Sequence, residues 1–312
     1  MKFCVSLLNS VQLKALRAPP WEKTVTPDQQ QRAVQLADEL GYWKVSVPEH
    51  FIMPRESEEN FGPHYLHTGT ALAFLAGTTR RIKLTTGIAI LPLVHPIAQA
   101  KIWATLDWLS GGRAVLTAGL GALKREYEMF GLNFHERGAM CDEHVQAIQE
   151  LWTSENPTFE GKYVQFRDVA FLPKPVQKPT IPFWFGGDSQ AAMRRVARFG
   201  QGWSPTRTPP EKLREGMDFI RSHPAYDGRP IGLSYSMTGL VLSDDHTERK
   251  DPPKDAFGVS GLQETLDRVG RLQDLGVTET RLPPPPLADY EAYLDFLRWA
   301  AEEVFPHFPD AA

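Results

Sequence analysis

RIKLTTGIAILPLVHPIAQAKIWATLDWLSGGRAVLTAGLG, residues 81–121, decides the fold. An apolar strand over Ile82–Leu91 runs into a helix from Pro96 to Leu109. A Gly111-Gly112 turn follows, then a second strand over Ala114–Ala118 that leaves through Gly119-Leu120-Gly121. Two strands joined through a helix lie parallel, so this is a β-α-β unit. The first strand carries Gly87 in its middle, between Thr85, Thr86 and Ile88. An interior glycine weakens a strand and marks a bulge or a close approach of another backbone or a ligand. Gly119 and Gly121 repeat the signal at the next strand's exit. Two neighbouring strands with bare backbone near their C-terminal ends predict a flat ligand lying across them.

Working outward, the same alternation recurs. Lys2–Leu8 reads as a first strand. Thr26-Pro27-Asp28 opens a helix that Gly41 stops, with Ala33, Leu36, Ala37 and Leu40 at helical spacing. Trp43–Val47 is a second strand, ending in Pro48-Glu49-His50-Phe51, and a polar loop precedes a helix at 68–78. After Gly121, helices are expected from Lys124 and over Arg137–Trp152, then a strand hairpin over Thr158–Lys174, where FEGKYVQF alternates around a glycine turn. Phe183-Trp184-Phe185 is a strand, Gly186-Gly187-Asp188-Ser189 its exit, and Gln190–Phe199 a helix. Strands are further predicted at 200–204, 231–242 and 278–282, with helices at 210–221, 260–275 and 290–305, and a charged excursion at 243–256. Eight strands, each followed by helix, predict an α/β fold: a (β/α)8 TIM barrel in one domain, 1–312, whose active site lies at the C-terminal strand ends. An open doubly wound sheet is the alternative.

Composition sets the bounds. The 312 residues suit a barrel, and 42% hydrophobic content supports a sizeable core. The net charge of −4, from 34 basic and 38 acidic residues, favours neither nucleic acid nor an anionic membrane. Cys4 and Cys141 are far apart with no CxxC pattern, and Cys4 is expected as a buried free thiol. The N-terminal run lacks a small-residue cleavage site, and no apolar stretch is long enough to span a bilayer. A cytoplasmic location is the expectation.

Several residues qualify for chemistry on local grounds. Gly186, Gly187, Asp188 and Ser189 stand between a strand and a helix, where first-turn amides and the helix dipole bind an anion such as phosphate. The structural alternative is that Asp188 or Ser189 caps the helix. His50 ends the second strand and suits proton transfer, with Glu49 placed to orient it or touch the ligand. His64 and His67 lie three apart, but no further ligand pattern supports a metal. His95 reads as a helix entry. Arg125, in the Lys124-Arg125-Glu126 helix start, is either a contact to a ligand anion or part of a solvated face. Trp21, Phe51, Tyr65 and Trp203 could line an apolar substrate pocket or serve as packing.

Taken together, these segments resemble the bacterial luciferase-like flavin and deazaflavin oxidoreductases. The resemblance rests on Pro48-Glu49-His50-Phe51, on TTGIAILPLVHPIAQAKIWATLDWLSGGR, on AGLGALKREYEMFGLNFHERG, on the FEGKYVQF hairpin before LPKPVQKPTIPFWFGGDS, and on GQGW. It covers residues 1–205 well and the last third in outline. It implies a (β/α)8 barrel holding coenzyme F420 or FMN in its mouth. It also implies a non-prolyl cis peptide at Gly87-Ile88 whose bulge, flanked by Thr86, supports the ring. Gly186, Gly187 and Ser189 match the family's phosphate loop, and His50 the histidine near the reactive ring edge. Ala122 stands where some sugar-phosphate dehydrogenases of the family carry a glutamate, and the last third lacks matching basic residues, so that substrate class is disfavoured.

The resulting expectation is an oxidoreductase using F420, with hydride passing between the deazaflavin C5 and a small organic substrate while His50 moves the proton. The alternative is an FMN-dependent monooxygenase using O2 and reduced flavin from a separate reductase. The chain lacks a GxGxxG–acidic nicotinamide pattern. A phosphate-binding lyase or isomerase is a different class, but Lys44 and Lys83 begin their strands, at the stability end of a barrel. A catalytically silent flavin-binding subunit is a further alternative, against which His50 argues. The expected partners are the small-molecule substrate, a flavin or F420 reductase and a second copy of the chain.

Overall fold

A computed structural model describes residues 1–11, 19–236 and 261–309. Its principal strands are β1 (Lys2–Ser6), β2 (Lys44–Val47), β3 (Lys83–Thr86), β4 (Ala114–Gly119), β5 (Phe183–Gly186), β6 (Gly202–Ser204), β7 (Gly232–Leu233) and β8 (Glu279–Thr280). They pair in parallel in the order β7-β6-β5-β4-β3-β2-β1-β8. A parallel bridge between Ser234 and Glu279 joins the two ends. The Thr278 amide donates to the Leu233 carbonyl at 2.9 Å and the Tyr235 amide to the Glu279 carbonyl at 3.0 Å. These bonds close the circle, which decides for the barrel over the open sheet. β7 and β8 are shorter than their patterns suggested. The far end of the expected 231–242 strand, and the 243–256 excursion, fall outside the described residues.

The helices are α1 (Pro27–Glu39), α2 (Thr68–Ala76), α3 (Pro96–Ser110), α4 (Lys124–Met129), α5 (Arg137–Thr153), α6 (Gln190–Phe199), α7 (Leu213–Ser222), α8 (Leu262–Asp274) and α9 (Tyr290–Trp299). α1 starts as its sequence predicts: Thr26 and Gln29 form a reciprocal capping box, with Pro27 at the first helical position. α3 stops at Gly111, which takes the left-handed conformation at φ +66° that glycine adopts without a Cβ clash. Among the described residues no helix is long and apolar enough to cross a membrane.

Side chains alternate along β1 and β2. Phe3, Val5, Val45 and Val47 join the core, whereas Cys4, Ser6, Lys44 and Ser46 line the cavity inside the barrel. Cys4 is therefore not sealed in the core as expected; it is partly exposed in the cavity wall. Lys44 pairs with Glu279, both buried, and its ammonium lies 4.3 Å from the centroid of the Trp184 ring. Gly202 and Gly232 leave the room that this ring occupies; a Cβ at either would overlap it.

The segment Leu106–Arg113 builds the opposite, N-terminal face. The buried Arg113 guanidinium donates to the carbonyls of Ala76, Thr79, Ile82 and Ser110 and to the Thr79 hydroxyl. Asp107 accepts the amides of Val176 and Gln177 at 2.8 and 3.0 Å. Buried charges need such partners. These two side chains latch loops beneath the barrel, so Leu106–Arg113 holds the scaffold rather than the ligand.

Candidate functional site

The expected ten-residue strand from Ile82 is interrupted at Gly87. β3 ends at Thr86, the Gly87-Ile88 peptide is cis, and Ala89–Ile90 then pairs with Ala118 and Gly119 of β4. Thr86, Gly87 and Ile88 line the cavity at the C-terminal mouth, which encloses about 820 Å³. Gly87 rests on Ser46, where a Cβ would come within 3.3 Å of the Ser46 Cβ.

The glycines at the exits of β4 and β5 converge here, although their bared space belongs to the protein itself. A Cβ on Gly119 would overlap Ile88 Cδ1, and one on Gly186 would sit 3.1 Å from Ile88 Cγ2. Gly121, at φ +67°, leaves room for Ile90, 2.8 Å from where its Cβ would be. The glycine set thus seats the isoleucines of the bulge, and what it offers a ligand is the Gly87-Ile88 ledge itself.

His50 follows the end of β2. Pro48 lines the cavity, whereas His50 is not among its lining residues; the His50 side chain is 14% exposed. Its Nδ1 lies 2.8 Å from Glu126 Oε2. Glu126 comes from the first turn of α4 and is fully enclosed; its Oε1 accepts the Phe51 amide at 2.9 Å and the Ile52 amide at 3.5 Å. The imidazole stands edge-on to Tyr65 and Phe61, at centroid distances of 4.9 and 5.9 Å. A carboxylate on Nδ1 holds the ring in the tautomer that leaves Nε2 to exchange a proton. Glu126 was missed in the sequence, where Lys124-Arg125-Glu126 read as a solvated helix face. The available signal was an acid in the first turn directly after a glycine-marked strand exit.

Glu49 is turned away from the cavity wall. Its carboxylate accepts the Ile90 amide at 2.9 Å and bonds the Thr68 side chain. Burial pushes its pKa up to about 7, against those two hydrogen bonds, and the nearby Glu126 adds to the rise. Glu49 therefore ties the exit of β2 to the segment after the bulge. Arg125 is exposed and meets Glu128 at 3.2 Å, which is the solvated reading.

At the β5 exit, Ser189 caps α6, accepting the Ala192 amide at 3.2 Å. The Gly187 amide donates to the Ser204 carbonyl at 3.3 Å. The first-turn amides of Gln190 and Ala191 have no intrahelical partner, as at any helix start. Asp188 does not cap. It accepts the amides of Thr206, Arg207 and Thr208 at 3.1, 2.8 and 2.7 Å, and the hydroxyls of both threonines. Burial raises its pKa, but the Arg207 amide, the Thr208 hydroxyl and amide and the Thr206 hydroxyl outweigh burial and hold it below the ordinary value. Asp188 thus pins the 205–208 loop into the cavity wall.

The other candidates are structural. His95 accepts the Ile97 amide at the start of α3. His64 bonds the Asn9 carbonyl at 2.9 Å and His67 the Thr70 hydroxyl at 2.9 Å, so these side chains do not converge with His50. Trp203 is buried and donates to the Gly187 carbonyl at 2.8 Å, and Trp21 donates to Leu287. Lys83 caps the Gly112 carbonyl at 3.0 Å, on the stability face.

A closed parallel barrel with a ledge lining its cavity, and with a carboxylate-held histidine and a helix start at C-terminal strand ends, has the form of a cofactor-binding oxidoreductase. The family model described as luciferase-like monooxygenase matches residues 1–278, and the chain belongs to that family of oxidoreductases. The FMNH(2)-dependent dimethylsulfone monooxygenase of Pseudomonas putida is 25% identical over 71% of this chain and 60% of that protein. Among solved structures, monooxygenase RslO1 from Streptomyces bottropensis superposes with a TM-score of 0.76 at 23% identity, covering 99% of this chain and 100% of that one. The coenzyme F420 dependent tetrahydromethanopterin reductase from Methanopyrus kandleri gives a TM-score of 0.72 at 18% identity, covering 99% of each chain. At these identities the structural likeness speaks for the fold.

Proposed function

We propose that the mouth holds coenzyme F420 and that the protein transfers hydride between the deazaflavin C5 and a small organic substrate, with His50 moving the accompanying proton. The observation that carries this reading is the His50–Glu126 pair after β2, the strand neighbouring the one that ends in the Gly87-Ile88 bulge. The residues present fit a planar ring with an anionic tail: a ledge at Gly87-Ile88 that lines the cavity, and first-turn amides at α6 beyond Gly186-Gly187. When bound, the cofactor supplies or accepts the two electrons. Glu126 fixes the imidazole, and Nε2 takes a proton from a substrate hydroxyl or returns one to a carbonyl oxygen. The loop pinned by Asp188 walls the chamber against water. The preference for F420 rests on the likeness of the SGGR, GLG and ERG segments to the deazaflavin-using branch.

A second reading, an FMN-dependent monooxygenase using reduced flavin and O2 with a partner reductase, draws support from the similarity to the dimethylsulfone enzyme. Either reading is compatible with a homodimer; α3 exposes Ile97 and Trp108, three turns apart on one face. His50→Ala tests the proton role. In an assay of substrate-dependent F420 absorbance change over a panel of alcohols and ketones, the rate is expected to fall by about 10²–10⁴, with F420 affinity kept within about tenfold. Glu126→Gln should lower the rate in the same direction. Unchanged turnover in both variants removes the pair from the mechanism.

A further inference from the structure

We infer that Arg281 is the anchor for a carboxylate on the substrate, so that the chamber accepts small organic acids with an apolar or aromatic body. The inference rests on the reading of this cavity as the chamber for cofactor and substrate. Arg281 directly follows β8 and lines the cavity. Its guanidinium bonds two neutral hydroxyls: NH1 donates to Ser6 Oγ, and NH2 to Ser236 Oγ at 3.3 Å. Among the described residues no carboxylate lies within ion-pairing distance of it. The acidic groups that face it, Glu22, the Cys4 thiol and the Tyr293 hydroxyl, are near enough to act through space only, and loss of hydration lowers its pKa despite them.

This is an unusual state for a guanidinium. A cation withdrawn from water is costly unless an anion accompanies it, and among the described residues three of the other four cations of the wall, all but Arg271, have theirs. Lys44 pairs with Glu279, Arg268 with Glu264 at 2.5 Å, and Arg207 lies 3.7 Å from Asp188. Two of the donors of the Arg281 fork are spent on serines; the remainder present the planar edge that binds a carboxylate with two parallel hydrogen bonds. The one guanidinium fork matches a planar carboxylate better than a tetrahedral phosphate.

The position is suited to a substrate. Ser6 Oγ and Ser46 Oγ lie 3.4 Å apart, and Ser46 touches Gly87. A row of hydroxyls therefore runs along the wall from Arg281 through β1 and β2 to the bulge. The guanidinium itself reaches Ser6 Oγ, and Ser46 Oγ, beside Gly87, is only 3.4 Å further on, so a small molecule anchored at Arg281 lies close to the ledge. Leu7, Val11, Trp184 and Pro205 supply apolar wall for its body.

The test uses 4-fluorobenzoate and its neutral counterpart 4-fluorobenzamide, followed by fluorine NMR on the full chain. The benzoate is expected to bind the wild type saturably and at least about tenfold more tightly than the benzamide. Arg281→Gln should abolish that preference, and Arg281→Lys should recover part of it. F420 or FMN fluorescence titrations of the same variants should stay within about twofold of wild type, so failure of the cofactor reading shows there and failure of the carboxylate site shows in the NMR. Equal binding of benzoate and benzamide to the wild type overturns the inference, whatever the variants do. So does tighter displacement of benzoate by inorganic phosphate than by acetate, which marks a phosphate site. Loss of cofactor affinity in a folded Arg281→Gln variant also overturns it, because Arg281 then serves the cofactor.

Discussion

Ile88 is the residue on which the mouth turns. Its side chain fills the space left by Gly119 and Gly186, two strands whose sequences are 67 residues apart and carry no trace of what sits between them. The glycines were legible because each breaks a strand pattern locally. Their occupant was not, because contacts across three strands are set by barrel register rather than by spacing. The same limit hid Glu126, whose partner His50 is 76 positions away. Gly119→Ala puts a methyl group into Ile88, so overpacking should cost about 1–3 kcal/mol in denaturant unfolding and weaken cofactor binding. Adding Ile88→Ala to that variant should restore much of the stability. Wild-type stability in the single variant would contradict the seat described here.

At the scale of elements, two acids read as ligand contacts act as fasteners. Glu49 joins the exit of β2 to the Ile90 amide after the bulge, and its pKa stands at about 7 against an ordinary 4.5. The folded state holds this proton more tightly than the unfolded chain, so stability from this group is fullest below pH 4.5 and falls as pH rises through about 7. The full loss is on the order of 3 kcal/mol. Glu49→Gln should flatten the stability profile across that window, measured by unfolding at about pH 4 and about pH 7.5, either side of it; an unchanged slope assigns the pH dependence elsewhere. Asp188 fastens β5 to the loop after β6. Its carboxyl is held below the ordinary value, so its contribution is present above that value and lost as pH falls through the folded pKa. Asp188→Ala should cost about 1.5–3 kcal/mol and speed hydrogen exchange at the Thr206, Arg207 and Thr208 amides; protected amides there would show that another group holds the loop. Both acids sit beside motif residues, and adjacency in sequence does not say which way a carboxylate turns.

For the whole molecule, the repeating strand–helix pattern carried the barrel, since each element's periodicity and stops are local properties. The closure between β7 and β8 was less legible: only a few backbone bonds around Leu233, Tyr235, Thr278 and Glu279 make it, and short strands leave little pattern. The cofactor is not legible at this scale either, because solved structures of F420 and FMN enzymes share this fold. Titrating the intact protein with F420 and with FMN, following the fluorescence of each, tests the account most directly. A saturable change with F420 at one molecule per chain, weakened by Gly119→Ala, is the predicted result. Saturation by FMN alone reverses the choice of cofactor, and no change with either contradicts the reading of the mouth.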